Sequence, residues 1–158
     1  MPDSVTVSSI IEAPAFRLYT MVSDVTRMRE WSPENVKCRW VGDADGPAVG
    51  AEFVGVNAYH KRRWRTFCRV VAADPGREFA FEVTGERRLK VSLWRYEFRP
   101  VDGGTEVIES WTDRRGWFLK VFGRLVLGIR SRPEHNRAGM VMTLAALKVA
   151  AEGADAAV

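Results

Sequence analysis

The chain has 158 residues, 46% hydrophobic and 28% charged, with 24 Lys+Arg against 20 Asp+Glu for a formal charge of +4. That length suits one globular domain able to bury about 70% of the surface its unfolded form exposes, without disulfide or metal staples. The mild, mixed charge excludes a nucleic-acid arm, and no apolar run reaches the roughly 18 residues of a membrane-spanning helix.

Residues 4–13, SVTVSSIIEA, are rich in β-branched side chains and alternate Val5, Val7 and Ser9 against Thr6, Ser8 and Ile10, the pattern of a strand. Pro14 opens a short helix in which Phe16, Tyr19 and Val22 recur at helical spacing. Ser23 and Asp24 stop it and cap a second short helix, with Val25, Met28 and Trp31 on one face. Ser32-Pro33 ends that helix, because the residue before proline avoids the α region. The period then changes to two. Strands are expected over 36–42, 51–59, 63–74, 78–83, 91–100 and 105–113, separated by turn chemistry such as DADGP, DPG and DGG. HKRRWR at 60–65 reads as a solvated hairpin end.

The last part is helical again. In 116–131, Phe118, Phe122, Leu125 and Ile129 are spaced by four, three and four. Ser131 and Glu134 form a candidate capping box with Pro133 in the first turn. A long helix is expected over about 132–152, with Val141, Leu144, Lys148 and Ala151 along one stripe, and residues 154–158 as a frayed tail. Six strands in series form a meander, and a curved antiparallel sheet needs a cover that only the final helix is long enough to supply. Cys38 and Cys68 lack metal spacing and are expected as reduced thiols. The first residues carry no basic and apolar leader pattern, so a cytoplasmic location is expected.

Several stretches, in this order, resemble the START-like (SRPBCC) superfamily, in its polyketide cyclase/dehydrase group. They are IEAPAFRLYTMVSDVTRMREWSP, GPAVGAEFVGVN, VVAADPGREFAFEV and WRYEFRPVDGGTEVIESW, the last with Ile108 where the group often has threonine. The resemblance spans about residues 5–113. It implies an α+β helix-grip fold of the START/Bet v 1-like kind, one domain over 1–153. Such a domain has a curved antiparallel sheet, two short helices and a long C-terminal helix, with an elongated apolar cavity between sheet and helix. Trp31, on the short helices, would help close one end of that cavity.

Strand alternation assigns the inward faces. They are Phe53, Gly55, Asn57 and Tyr59; Trp64, Thr66, Cys68 and Val70; Phe79, Phe81 and Val83; Trp94, Tyr96 and Phe98; and Thr105, Val107, Glu109 and Trp111. The candidate ligand-binding residues are Trp31, Phe53, Asn57, Tyr59, Trp64, Thr66, Phe81, Trp94, Tyr96 and Trp111. Glu109 is the candidate catalytic acid/base or polar anchor, since a buried carboxylate is unfavourable unless paired or protonated. The bland alternative for Glu109 is an arginine ion pair or a bulge that turns it outward. His60 and His135 are expected to be exposed. There is no Ser-His-Asp order, no Gly-rich phosphate loop and no metal-spaced ligand set, so neither cofactor nor metal is expected.

Three functions follow. The first is a binding module for an apolar or aromatic, lipid- or polyketide-like small molecule. The second, by analogy with the resembled group, is aromatase/cyclase chemistry using Glu109, helped by Tyr59, Tyr96 or Asn57. The third is interfacial lipid contact through 117–130, where Lys120, Arg124 and Arg130 accompany an apolar segment. For that segment a buried helix or a dimer face is the preferred alternative, with Phe67 as a further contact in a homodimer.

Overall fold

The period-two segments pair into one seven-stranded antiparallel sheet. The computed structural model describes residues 3–85, 88–127 and 131–153, for 123, 124 and 127 as backbone only. The strands are β1 (Ser4–Ile11), β2 (Asn35–Val41), β3 (Glu52–Tyr59), β4 (Arg62–Asp74), β5 (Glu78–Thr84), β6 (Lys90–Val101) and β7 (Gly104–Asp113). Their spatial order is β1-β7-β6-β5-β4-β3-β2, a meander from β2 to β7 with β1 added beside β7. Helix α1 (Ala15–Ser23) and a 3₁₀ helix (Val25–Glu30) join β1 to β2, and α2 (Trp117–Leu127) and α3 (Arg132–Gly153) follow β7. The architecture is the expected α+β one: a seven-strand antiparallel sheet, short helices and a long C-terminal helix.

Register carries the alternation across the sheet. Phe53 faces Cys68, which faces Val83; Phe81 faces Trp94, which faces Trp111. Glu109 lies between Tyr96 of β6 and Val7 of β1. All the side chains assigned inward are buried or half-buried, and a bulge between Val70 and Ala72 bends β4 where the sheet curls. Two close approaches tighten this surface. A Cβ on Gly104, after the Asp102-Gly103 turn, would stand 2.2 Å from the Ile11 carbonyl oxygen. One on Gly55 would meet Thr66 Oγ1 at 2.8 Å and Cys38 Sγ at 3.4 Å.

The core sits where α1 and the C-terminal half of α3 meet the inner face. Tyr19 packs edge-on against Phe79 and Phe98, with ring centroids 6.4 and 6.0 Å apart. Leu144, Leu147 and Ala151 of α3 join this cluster, and Met140 joins a second with Val5 and Trp111. The end of α3 is tied to β1: Lys148 Nζ donates to the Ile10 carbonyl at 2.8 Å, and Glu152 Oε1 accepts from the Glu12 N–H at 3.0 Å. Cys38 and Cys68 are free thiols, both buried.

The helices depart from expectation in detail. On α1, Leu18, Tyr19, Met21 and Val22 are buried, but Phe16 is 65% exposed, its backbone and not its ring lying against Gly76 of the β4–β5 turn. The 3₁₀ helix keeps Val25, Met28 and Trp31 on one face, since i and i+3 eclipse in a three-residue turn. On α3 the buried stripe is Asn136, Met140, Thr143, Leu144, Leu147 and Ala151, so Val141 (54% exposed) faces outward and Lys148 lies at the margin. Around a 3.6-residue turn, alanine-rich sequence leaves this phase undetermined, and contact with β1 sets it. The candidate cap on α3 reduces to backbone: the Ser131 carbonyl accepts the His135 N–H, with no side-chain capping bond among the described residues.

Helix α2 corrects the expectation of a buried helix. Trp117, Phe118, Phe122 and Leu125 are between 56% and 79% exposed. Lys120 anchors its first turn to Asp3 at 3.1 Å. The expectations for Arg124, Ile129, Arg130 and the tail 154–158 lie outside the described residues.

Candidate functional site

Between the N-terminal half of α3 and the sheet lies a cavity of about 550 Å³. The aromatic inner faces of β4 to β7 form its wall through Trp64, Phe81, Trp94, Tyr96 and Trp111. Met28 of the 3₁₀ helix, with Ser32 and Pro33 of the corner after it, lines another side. Helix α3 contributes Arg132, Asn136, Gly139 and Thr143, at spacings of four, three and four, with His135, Met140 and Met142 nearby. Short side chains at Gly139 and Thr143 leave space that a leucine stripe would fill.

A polar strip runs along β3 and β4. Asn57 Nδ2 donates to Thr66 Oγ1 at 3.1 Å, and Asn57 Oδ1 accepts from Asn35 Nδ2 at 3.4 Å. At the β3–β4 hairpin, His60 takes a left-handed φ of 53° in the two-residue turn. Tyr59 meets the rings of His60 and His135 edge-on, at 4.2 and 4.6 Å. His135 is half-buried, not exposed as expected, because its Nε2 contacts Glu34 Oε1.

Glu109 is a fully buried carboxyl. It is 1% exposed and neither ion-paired nor turned outward. Tyr96 Oη donates to its Oε1 at 2.7 Å, while Oε2 has no hydrogen-bond partner among the described residues. Burial pushes its pKa up to about 8, against a smaller lowering by the tyrosine bond. Tyr96 is raised too, first by burial and then by the adjacent Glu109 charge. A carboxyl so placed is a protonated acid at neutral pH, able to donate one hydrogen bond or to exchange one proton.

Near the start of α3 the chemistry is basic. Arg115 grips the Asp113 carboxylate through Nε (2.9 Å) and Nη2 (2.7 Å). Arg132 lies 5.9 Å from the Trp64 ring centroid and 3.7 Å from Glu34 Oε1. Among the described residues no three His, Cys, Asp or Glu side chains are grouped to hold a metal ion.

Of the residues singled out from sequence, Asn57, Tyr59, Trp64, Thr66, Phe81, Trp94, Tyr96, Trp111 and Glu109 line this cavity. Two do not. Trp31 is 5% exposed within the core, with the Arg27 guanidinium 5.1 Å over its ring. Phe53 is sandwiched between Trp40 and Phe81, at 5.5 and 5.1 Å. The corner tryptophan is thus a core plug, and its neighbours Met28, Ser32 and Pro33 reach the cavity instead. Sequence reasoning missed Arg115, Arg132, His135, Asn136 and Ser92. The one available signal was the polar and small series Arg132, Asn136, Gly139, Thr143 on a helix whose other stripe is apolar.

A family model described as "Polyketide cyclase / dehydrase and lipid transport" matches residues 2–134. A search of curated proteins finds no match. Among solved structures, the chain is similar to the Polyketide_cyc-like protein Cgl2372 of Corynebacterium glutamicum, with 34% identity, 94% of this chain and 90% of that one covered, and a TM-score of 0.61. It shares its fold with Ms6760 of Mycobacterium smegmatis (18% identity, 96% and 92% covered, TM-score 0.66). It also shares it with DynU16, a protein of the dynemicin biosynthetic locus (14% identity, 92% and 46% covered, TM-score 0.63).

The acid at the cavity floor has a thermodynamic signature. Folding raises the Glu109 pKa from an ordinary 4.5 to about 8, so the native state keeps a proton that the unfolded chain releases. Stability from this group is full below about pH 4.5 and is lost as pH rises through about 8. Glu109→Gln is therefore expected to change Tm little at pH 5. At pH 9 it is expected to raise stability by on the order of 5 kcal/mol, roughly 10–20 °C. Thermal melts of both proteins across that range check this; the same Tm difference at both ends would mean that Glu109 does not titrate as described.

Proposed function

The chain belongs to the polyketide cyclase/dehydrase and lipid transport family, and on that premise we propose that it binds an apolar or aromatic small molecule, lipid- or polyketide-like, between its sheet and α3. One observation carries the reading: the 550 Å³ cavity walled by three tryptophans, with a few polar groups set among them. Pockets of this size and lining hold small molecules by apolar contact and take their specificity from the sparse polar groups.

A guest in the cavity would lie against Trp64, Trp94 and Trp111. Titration with the neutral probe N-phenyl-1-naphthylamine is expected to quench tryptophan emission and to raise probe fluorescence at micromolar concentrations. Asn136→Phe, which adds volume on the α3 side, is expected to weaken binding at least tenfold. Absence of both signals in the wild-type protein would end the reading.

A second reading, catalysis of the cyclase/dehydrase kind, draws support from the Tyr96–Glu109 pair. Aldol closure and loss of water need an acid/base within reach of the substrate, and a group with a pKa near 8 is suited to exchange protons at neutral pH. Turnover of a linear poly-β-ketone by the wild-type protein, falling 100-fold or more in Glu109→Gln, is the expected result; equal rates would remove Glu109 from the mechanism.

The exposed apolar face of α2 favours one further role for the same binding module, contact with a lipid surface. Among the described residues no helix is long and apolar enough to cross a membrane, so such contact would be interfacial. Co-sedimentation with anionic phosphatidylglycerol vesicles, reduced in a Trp117→Ser/Phe118→Ser variant, is expected; a wild-type protein left in the supernatant would exclude it.

A further inference from the structure

Arg132 is a cation whose only ion pair among the described residues is a distant one, to Glu34, with the Trp64 ring beside it. It opens α3 and lines the cavity, and its guanidinium donates no hydrogen bond to a described residue. Nη1 is shut off from solvent with no acceptor. Glu34 is 3.7 Å away, beyond a hydrogen bond, and its Oε1 is engaged by His135. The other nearby carboxylate, Asp113, has both oxygens taken by Arg115. The guanidinium carbon stands 5.9 Å from the Trp64 ring centroid, a cation–π contact that keeps the group at the cavity. A guanidinium presents five donors, and leaving them unmatched in a half-dry site is unfavourable.

We propose that Arg132 receives the anionic head of an amphipathic ligand, a carboxylate, whose apolar chain runs inward along the tryptophan wall towards Glu109. This rests on the binding function proposed above and assigns it a ligand class and an orientation. Burial, partly offset by Glu34, lowers the Arg132 pKa, as expected for a cation with too little compensating charge. The dimensions agree. Asp113, two residues before the cavity-lining Arg115, and Glu109 are four residues apart on β7, or about 13 Å of strand. That is close to the length of a ten- to twelve-carbon chain, and the one inner-face residue between them on β7 is Trp111. The unpartnered Glu109 Oε2 at the far end is a protonated acid oriented for a ligand carbonyl or hydroxyl.

The test compares dodecanoate with dodecanol, which share a chain and differ in head group, by displacement of N-phenyl-1-naphthylamine and by tryptophan quenching. Dodecanoate is expected to bind roughly 10- to 100-fold more tightly, the range for hydrogen bonds to a charged group. Arg132→Met retains the stem and removes the charge; it should abolish that preference while leaving dodecanol binding within about twofold. Arg95→Gln, which removes an outward arginine paired with Glu78, should leave the preference intact. Equal affinity of the two ligands for the wild type, or an equal loss of both in Arg132→Met, would overturn the head-group assignment and leave the cavity reading standing. No binding of dodecanoate, dodecanol or the naphthylamine would overturn both.

Discussion

A single helix cannot cover a seven-stranded sheet. Seven strands about 4.8 Å apart span roughly 29 Å, whereas a helix with its side chains is about 10–12 Å across. Even strongly curled, the sheet has more inner surface than α3 can touch. The rest of the structure follows from how the mismatch is distributed. The C-terminal half of α3 is seated by Leu144, Leu147 and Ala151 and tied to β1 by Lys148 and Glu152. The N-terminal half presents Asn136, Gly139 and Thr143, which are too short or too polar to seal against the tryptophans opposite. The void is therefore lodged at one end, and it persists because one end of the rod is held and the other carries little bulk.

The same geometry gives the void two unlike poles. At one end the strands bury Glu109 where solvation is lost, so its proton is retained, and its one hydrogen-bond partner among the described residues is Tyr96. At the other end Arg115, Arg132 and His135 gather because β7 ends and α3 begins there, and two carboxylates, Glu34 and Asp113, do not satisfy all of the donors. Between them the wall is aromatic. A surface with a cation at one end, a neutral acid at the other and indoles between is shaped for an elongated guest of unequal ends more than for a symmetric hydrocarbon.

Exposed apolar surface on α2 belongs to the same economy of cover. Arg115, just before α2, and Arg132, just after it, both line the cavity, so the chain passes the cavity's basic end twice with α2 between. Trp117, Phe118, Phe122 and Leu125 have no inner face to pack upon, since α3 already occupies the place over the sheet. Contiguous exposed apolar patches of this kind mark sites of contact with something else.

How much of this could be read from the amino-acid order depends on the period of the element. In the strands, alternation permits only two phases, and charged residues such as Arg63, Arg65, Arg69, Arg95 and Arg99 choose between them. The inward positions of Trp64, Trp94, Tyr96, Glu109 and Trp111 were therefore legible before any coordinate. The resemblance of the Ala-Pro, Trp-Ser-Pro and Gly-Gly-Thr stretches to a known family supplied the grip architecture. Helical phase is a continuous angle, and in a segment as rich in alanine as 138–151 the composition does not choose it; contact with β1 did, exchanging Val141 for Met140 and Leu147. Tertiary packing alone also decided that Trp31 and Phe53 serve the core, that the apolar face of α2 stays exposed, and that Arg132 stands by Trp64 with no hydrogen-bond acceptor among the described residues. Each of these depends on which surfaces are left after the large elements have met, and a quantity defined by what remains is not carried by any local stretch of sequence.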